Sequence, residues 1–290
     1  MFDKFLHTLY YLTVIWKQRL LYRTNGGDFI TLLNSAENVL NILFVWTTQK
    51  RSELGLTEIS RFTGINKTTV YKILLSLKER GMVSINPESK KYKLDVGILE
   101  LSNHLLKNLD VYPVAHPLIS DLAARTQTTV TLAICKENYL VFIDRVDGSE
   151  NARFYCDIGK TVYYNTGAAA KAAFAFLTPE RQRQIMSCVP AYQFTQISKS
   201  WDQLQNEVSS IRKQGYAVSD EEVDLGVYAI GAPIFDHQGK VIAGMAMATL
   251  KFVMTPEREQ SMVSYLLEFS RLISQKLGCP QTQNFAQLQE

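Results

Sequence analysis

From Asn66 the chain reads Asn-Lys-Thr-Thr-Val-Tyr-Lys, so that ammonium groups, hydroxyls and a phenol follow directly on a residue able to cap a helix. Short polar and basic side chains at the start of a helix can reach base edges, while the unpaired backbone N–H groups there favour phosphate. Lys67, Thr68, Thr69, Tyr71 and Lys72 all lie off the apolar stripe of Val70, Ile73, Leu74 and Leu77 and are the predicted DNA contacts. Thr57 and Asn66, the expected caps of the second and third helices, join that set. Lys90, Lys91 and Lys93 follow on a short hairpin, where cations can hold neighbouring phosphates and so position a protein without specifying sequence. A single Lys would equally suit a solvated face. The combination is more specific, because residues 35–93 carry ten Lys/Arg against five Asp/Glu, whereas 94–290 carry seventeen against twenty-one.

A second set suits a small anion. Asn165-Thr166-Gly167 precedes an alanine-rich helix, allowing close backbone approach and presenting unpaired N–H groups to a carboxylate. The same alanines would also let a helix pack tightly on a sheet. Asp220-Glu221-Glu222 could hold a metal or act as a base, and serves equally as a solvated turn or cap. Cys135, Cys156, Cys188 and Cys279 have no metal-ligand spacing and read as free thiols. His7, His104, His116 and His237 lie in no zinc or nucleophile motif, and no phosphate loop or dinucleotide fingerprint is present. Neither a catalytic residue nor a metal or cofactor is predicted.

The elements that must position these groups follow from periodicity. At 290 residues, 46% hydrophobic and 20% charged, with a net charge of +3, the chain has the composition of a globular protein of two domains. Ser35 is the expected cap of a first helix carrying Val39, Ile42, Leu43 and Trp46. Thr57 is the expected cap of a short second helix ended by Gly64, and Asn66 of a third ended by Gly81. Residues 82–85 and 92–94 read as a hairpin, and 96–108 as an amphipathic linker helix. Beyond it the pattern predicts helix 113–125, strands 129–135, 139–145 and 153–157, helices 167–177 and 201–214, strands 227–235 and 240–249, and helix 256–277. Adjacent strands with no helix between them indicate an antiparallel α+β domain. The uncharged run Phe5 to Trp16 is too short to span a bilayer, and Lys17-Gln18-Arg19 follows it where a cleavage site would stand, so a cytoplasmic protein is expected. The predicted divisions are a 1–34 extension, a 35–95 DNA-binding domain, a 96–111 linker helix, a 112–279 sensor domain and a 280–290 tail.

Several stretches resemble the IclR family of bacterial transcriptional regulators over about 35–278. Ser35 to Leu43 and Leu56-Thr57-Glu58-Ile59 are similar to that family's first two helices, and Ile65 to Leu74 with Leu77 and Gly81 to its recognition helix. In the body, Gly159, Ala168 to Ala172, Gln214 to Ala217, Asp220 to Glu222, Gly226, Ala232 to Asp236 and Gly239 resemble further family blocks in the same order. The resemblance implies a winged helix-turn-helix, a linker helix and a GAF-like antiparallel sensor domain. It also implies a homodimer or homotetramer on a palindromic DNA operator, and a small carboxylic acid as effector. Repressor is the commoner role, and activators share the motifs. Carried over by position, the effector site would involve Ala168, Ala169, Asp220, Ala229, Ala246 and Ala248. The chain departs from the family pattern at Ala170, where Gly is common, at Ala229, where Cys is frequent, at Gly231, where Ala is usual, and in Met245 to Ala248, a strand often rich in Ser. Loss of those hydroxyl and thiol groups predicts an effector that is larger or less polar, or none. A winged helix that only mediates protein contacts is the alternative reading, and an enzyme the third.

Overall fold

The computed structural model describes residues 34–149 and 156–280; of the predicted 1–34 extension and 280–290 tail, all but residues 34 and 280 lie outside them. Contacts divide the chain into two units between His104 and Leu105.

The first unit is built on three helices and a hairpin: α1 Asn34–Gln49, α2 Leu56–Thr63, α3 Lys67–Glu79, β1 Val83–Ile85 and β2 Tyr92–Leu94. Asn34 is already helical, which places Ser35 inside the first turn of α1 instead of at its cap. Helix α2 also starts earlier than the position of Thr57 suggests. Glu58 sits three residues after Gly55 and its carboxylate accepts the Gly55 N–H at 2.9 Å, so Gly55 is the N-cap and Thr57 lies within the helix. Asn66 does cap α3, its Oδ1 accepting the Thr69 N–H at 2.9 Å. Ile42, Val45, Trp46, Ile59, Val70, Leu74 and Leu77 close one apolar core with Val83 and Tyr92 of the hairpin. Trp46 Nε1 donates to the Tyr92 carbonyl at 3.1 Å, tying the hairpin to α1.

Helix α4, Gly97–Lys107, falls within the stretch 96–108 expected to be helical, and none of its residues is buried. The second unit then comprises α5 Val111–Thr126, β3 Thr129–Cys135, β4 Tyr139–Val146, β5 Thr161–Tyr163, α6 Ala168–Ala175, α7 Pro179–Cys188, α8 Trp201–Gln214, β6 Ala217–Asp220, β7 Val227–Phe235, β8 Val241–Leu250 and α9 Pro256–Lys276. Its six strands form an antiparallel sheet in the order β5-β4-β3-β8-β7-β6. The predicted strand at 153–157 is not found where it can be traced: Cys156 and Asp157 are outside any strand, 153–155 lie outside the described residues, and the edge strand is Thr161–Tyr163. Helix α7 was not predicted, although Thr178 caps it and Pro179 opens it, a strong start signal.

Alternation along the strands separates the two faces of this sheet. Val130, Leu132, Ile230, Ala232, Met245 and Met247 face α5 and α9 in one core. On the other face Ala246 packs with Ala168 and Ala169 of α6. The sequence Met245-Ala246-Met247-Ala248 is therefore a two-sided strand, with bulk toward one helical layer and space toward the other.

Candidate DNA-binding face and ligand cavity

On the first unit, Lys67, Thr68, Tyr71 and Lys72 of α3 are exposed and Thr69 is half-buried. Thr68 and Lys72 lie on the side of α3 opposite the buried Val70, Leu74 and Leu77, and Thr69 and Tyr71 flank it, whereas Lys67 stands in line with Val70 and Leu74 and is exposed as the first residue of the helix. Thr57 and Asn66 are also exposed, and the Asn66 carboxamide oxygen is engaged by its capping bond. Lys90, Lys91 and Lys93 project from the hairpin, with Lys90 at a φ of +56° in the tight turn. Glu53 shapes that turn: its carboxylate accepts from Asn86 Nδ2 at 2.5 Å and Ser89 Oγ at 2.7 Å, bonds that hold its pKa below the ordinary value. Glu58, whose pKa is lowered chiefly by the Gly55 N–H, pairs with Arg51 at 2.8 Å and lies 3.9 Å from Lys91. Lys91 thus brings less free charge to the hairpin than its position suggests.

On the second unit, a cavity of about 60 Å³ opens between the N-terminus of α6 and the sheet. Ala168, Ala169, Ala229, Ala246 and Ala248 line it. Asp220 is not among the lining residues. Side chains alternate along β6, so Ser219 faces the cavity and its neighbour Asp220 turns away, where it pairs with Lys251 at 2.9 Å. Glu221 meets the same Lys251 at 2.7 Å, so these two carboxylates serve an ion pair, and no group of three metal-ligating side chains occurs among the described residues.

Sequence reasoning missed Thr131, Cys156, Ser219 and Asp224, the polar members of the lining. They correct the expectation of a site stripped of hydroxyl and thiol groups, because those groups come from other strands and loops than the ones where they were sought. Strand alternation relative to Ala229, which pairs with Ser219, was the signal that could have found Ser219. Burial pushes the Cys156 thiol up to about 11 against the opposing pull of Arg145.

Two glycines allow α6 to sit this close to the sheet. A Cβ on Gly231 would lie 2.3 Å from the Ala168 carbonyl carbon, and one on Gly244 would lie 2.4 Å from the Ala169 oxygen. Gly231 is thus a packing requirement of this chain. Gly167 precedes the helix at a φ of +76°, a conformation that favours glycine, and its carbonyl accepts the first helical bond from the Lys171 N–H at 3.0 Å. Because the first N–H groups of a helix have no acceptor within it, those of Ala168 and Ala169 are available at the cavity wall. Behind that wall lies a buried ion-pair cluster that the sequence did not announce. Lys171, fully buried, reaches Glu222 at 2.6 Å and Glu207 at 3.3 Å, and Lys199 meets Glu207 at 2.9 Å. Burial raises the Glu222 pKa, with Lys171 acting against it. Asn165 pins the loop before α6 by donating to the Tyr192 and Lys199 carbonyls at 2.8 and 2.7 Å.

Comparison with known proteins places both units. The model of the bacterial transcriptional regulator IclR C-terminal domain matches residues 103–275, and that of the IclR helix-turn-helix domain matches 35–87. The chain is 30% identical over 268 residues to the HTH-type transcriptional regulator KdgR of Dickeya chrysanthemi, covering 90% of this chain and 88% of that one. The crystal structure of the Thermotoga maritima IclR superposes with a TM-score of 0.74 at 27% identity, over 84% of this chain and 99% of that one. A Microbacterium hydrocarbonoxydans IclR homolog complexed with 4-hydroxybenzoate shares the fold, with a TM-score of 0.72 at 17% identity over 84% and 99% of the two chains.

Proposed function

The chain belongs to the IclR family of DNA-binding transcriptional regulators, and from that premise we propose that it is a repressor whose operator affinity is set by a small organic acid bound beneath α6. Its relatives are regulators and not enzymes, which leaves binding as the chemistry to be explained. The reading rests on the cavity. Its wall combines helix N–H groups able to receive a carboxylate with the hydroxyls of Thr131 and Ser219, the Cys156 thiol and the Asp224 carboxylate, and the remaining lining is apolar. A water needs about 10–15 Å³ of such space, so the volume suits an acid of roughly four or five non-hydrogen atoms. The relative that holds 4-hydroxybenzoate carries a longer carboxylate in the same fold.

In this reading Lys67, Thr68, Thr69, Tyr71 and Lys72 enter the major groove of a palindromic operator, and the hairpin lysines Lys90, Lys91 and Lys93 hold the flanking phosphates. Thr57 and Asn66 face the same duplex from the starts of their helices. Two DNA-binding units are needed for a palindrome, so the acting species is a homodimer or a pair of homodimers, working in the cytoplasm. No helix among the described residues is long and apolar enough to cross a membrane.

The test is calorimetric titration of the full chain with a series of two- to six-carbon carboxylates, and with Ala229→Leu as the control that fills the cavity. Saturable binding of a short acid that Ala229→Leu abolishes supports the assignment. Binding that the variant leaves untouched places the effector elsewhere.

A further inference from the structure

The side of α3 turned away from its core carries two large apolar side chains. Tyr71 is 46% exposed and Leu75 is 41% exposed. With about 100° per residue, Thr68 and Leu75 fall within about 20° of each other, on the side away from Val70, Leu74 and Leu77. Tyr71 flanks them on one side and Lys72 on the other. Among the described residues neither side chain belongs to the apolar core of the first unit, and the cations beside this stripe suit a polyanion better than an apolar protein surface.

The same face lacks the usual bidentate base readers. From Lys67 to Ser76 there is no Arg, Asn, Gln, Asp or Glu. Asn66, just before it, is held by its Oδ1 accepting the Thr69 N–H in the cap of α3. What remains is Lys67 and Lys72, which suit guanine edges or phosphates, the hydroxyls of Thr68 and Thr69, which discriminate poorly between bases, and an apolar ridge. In the major groove the apolar feature that distinguishes one base from the others is the thymine 5-methyl group.

We propose that Tyr71 and Leu75 read thymine methyl groups in each operator half-site, making Leu75 a specificity-determining residue. This rests on the placement of α3 in the major groove proposed above. Covering one methyl is equivalent to a discrimination of about fourfold in affinity.

The full chain is used to enrich a duplex from a random library at fixed salt, and the winning duplex is remade with 2′-deoxyuridine replacing thymidine one position at a time, a change that removes the methyl alone. The expected result is about fourfold weaker binding at two thymines per half-site. Leu75→Ala, at an exposed position where alanine favours the helix, should erase the penalty at one of them, and Tyr71→Ala at the other. Lys67→Ala should weaken binding at every sequence and leave the thymine-to-uracil ratio unchanged. Sequence-specific binding that tolerates uracil throughout overturns the methyl reading and leaves the major-groove placement standing. Failure to enrich any sequence overturns both. A Leu75→Ala variant that alters oligomeric state but not uracil sensitivity assigns the ridge to protein contact and overturns the proposal.

Discussion

Cys156 is a cavity-lining thiol whose chemistry reports its surroundings. Because the thiolate is the nucleophile, a thiol held near 11 presents roughly one part in a thousand of its reactive form at pH 8. Cys135, pushed up to about 12 by burial, is still less reactive, whereas Cys188 is exposed. Iodoacetamide at pH 8 should therefore label Cys188 to completion before Cys156 reacts measurably, as read by peptide mass mapping, and a bound acid should slow Cys156 further. Equal rates at Cys156 and Cys188 would place Cys156 outside the cavity. A second residue-scale test concerns Gly231. Its absent Cβ leaves room for the Ala168 and Ala169 backbone, so Gly231→Ala should cost about 3 kcal/mol or more through overpacking and lower the melting temperature of the second unit. An unchanged melting curve would show that α6 can shift without penalty. At this scale the site was half legible. The alanines lining it could be placed by resemblance, but Ser219 and Asp220 are adjacent and only the strand phase decides which of them faces inward. Family position alone named Asp220, where the strand phase turns Ser219 toward the cavity, and Thr131 and Cys156 had no local signal because they reach the cavity from distant stretches of chain.

At the scale of elements, the sequence pattern was most informative where burial has one face. Helices α3, α8 and α9 and strands β3 and β7 could be read closely because their apolar spacing is regular and their ends carry caps or glycines. Short edge strands such as β5 and β6 bury too few residues to establish a period, and they were missed. The hairpin of the first unit offers an electrostatic test. Glu53 has a folded pKa below its ordinary 4.5, owing first to Asn86 and then to Ser89. A depressed carboxyl contributes stability that is fully present above the unfolded value and is lost as the pH falls through the lower folded value. The difference in melting temperature between the parent chain and Glu53→Gln should accordingly be full at pH 6 and shrink progressively as the pH falls below 4.5. A difference independent of pH would mean that Glu53 acts by shape and not by charge.

In the proposed reading the two units carry separate activities, operator binding and acid binding, and the variants should separate with them. Lys72→Ala removes a cation from α3, so it should reduce operator affinity several-fold and flatten its salt dependence, with acid binding unchanged by calorimetry. Ala229→Leu should do the opposite, leaving operator affinity within about twofold while abolishing the response to acid. Ala169 is a poorer choice for that control, since its backbone oxygen already lies against Gly244 and a larger side chain there would disturb the packing of α6. Joint loss of both activities in either variant would indicate unfolding. What no local pattern could reveal is the buried Lys171, Glu222 and Glu207 cluster, because its members lie 36 and 51 residues apart and meet only once the sheet and α6 have assembled. It stands directly behind the cavity wall, since Lys171 follows the lining residue Ala170 and Glu222 precedes the lining residue Val223.

The central claim is that acid binding and operator binding are one coupled equilibrium. Linkage requires that if the acid changes operator affinity by some factor, the operator changes acid affinity by the same factor. The decisive measurement is this thermodynamic square: operator affinity of the full chain without acid and at saturating acid, and acid affinity of the free and operator-bound chain, all at one salt concentration. The account predicts that acid weakens operator binding at least fivefold, with the two factors equal within error. Operator affinity that is the same with and without a demonstrably bound acid would contradict it.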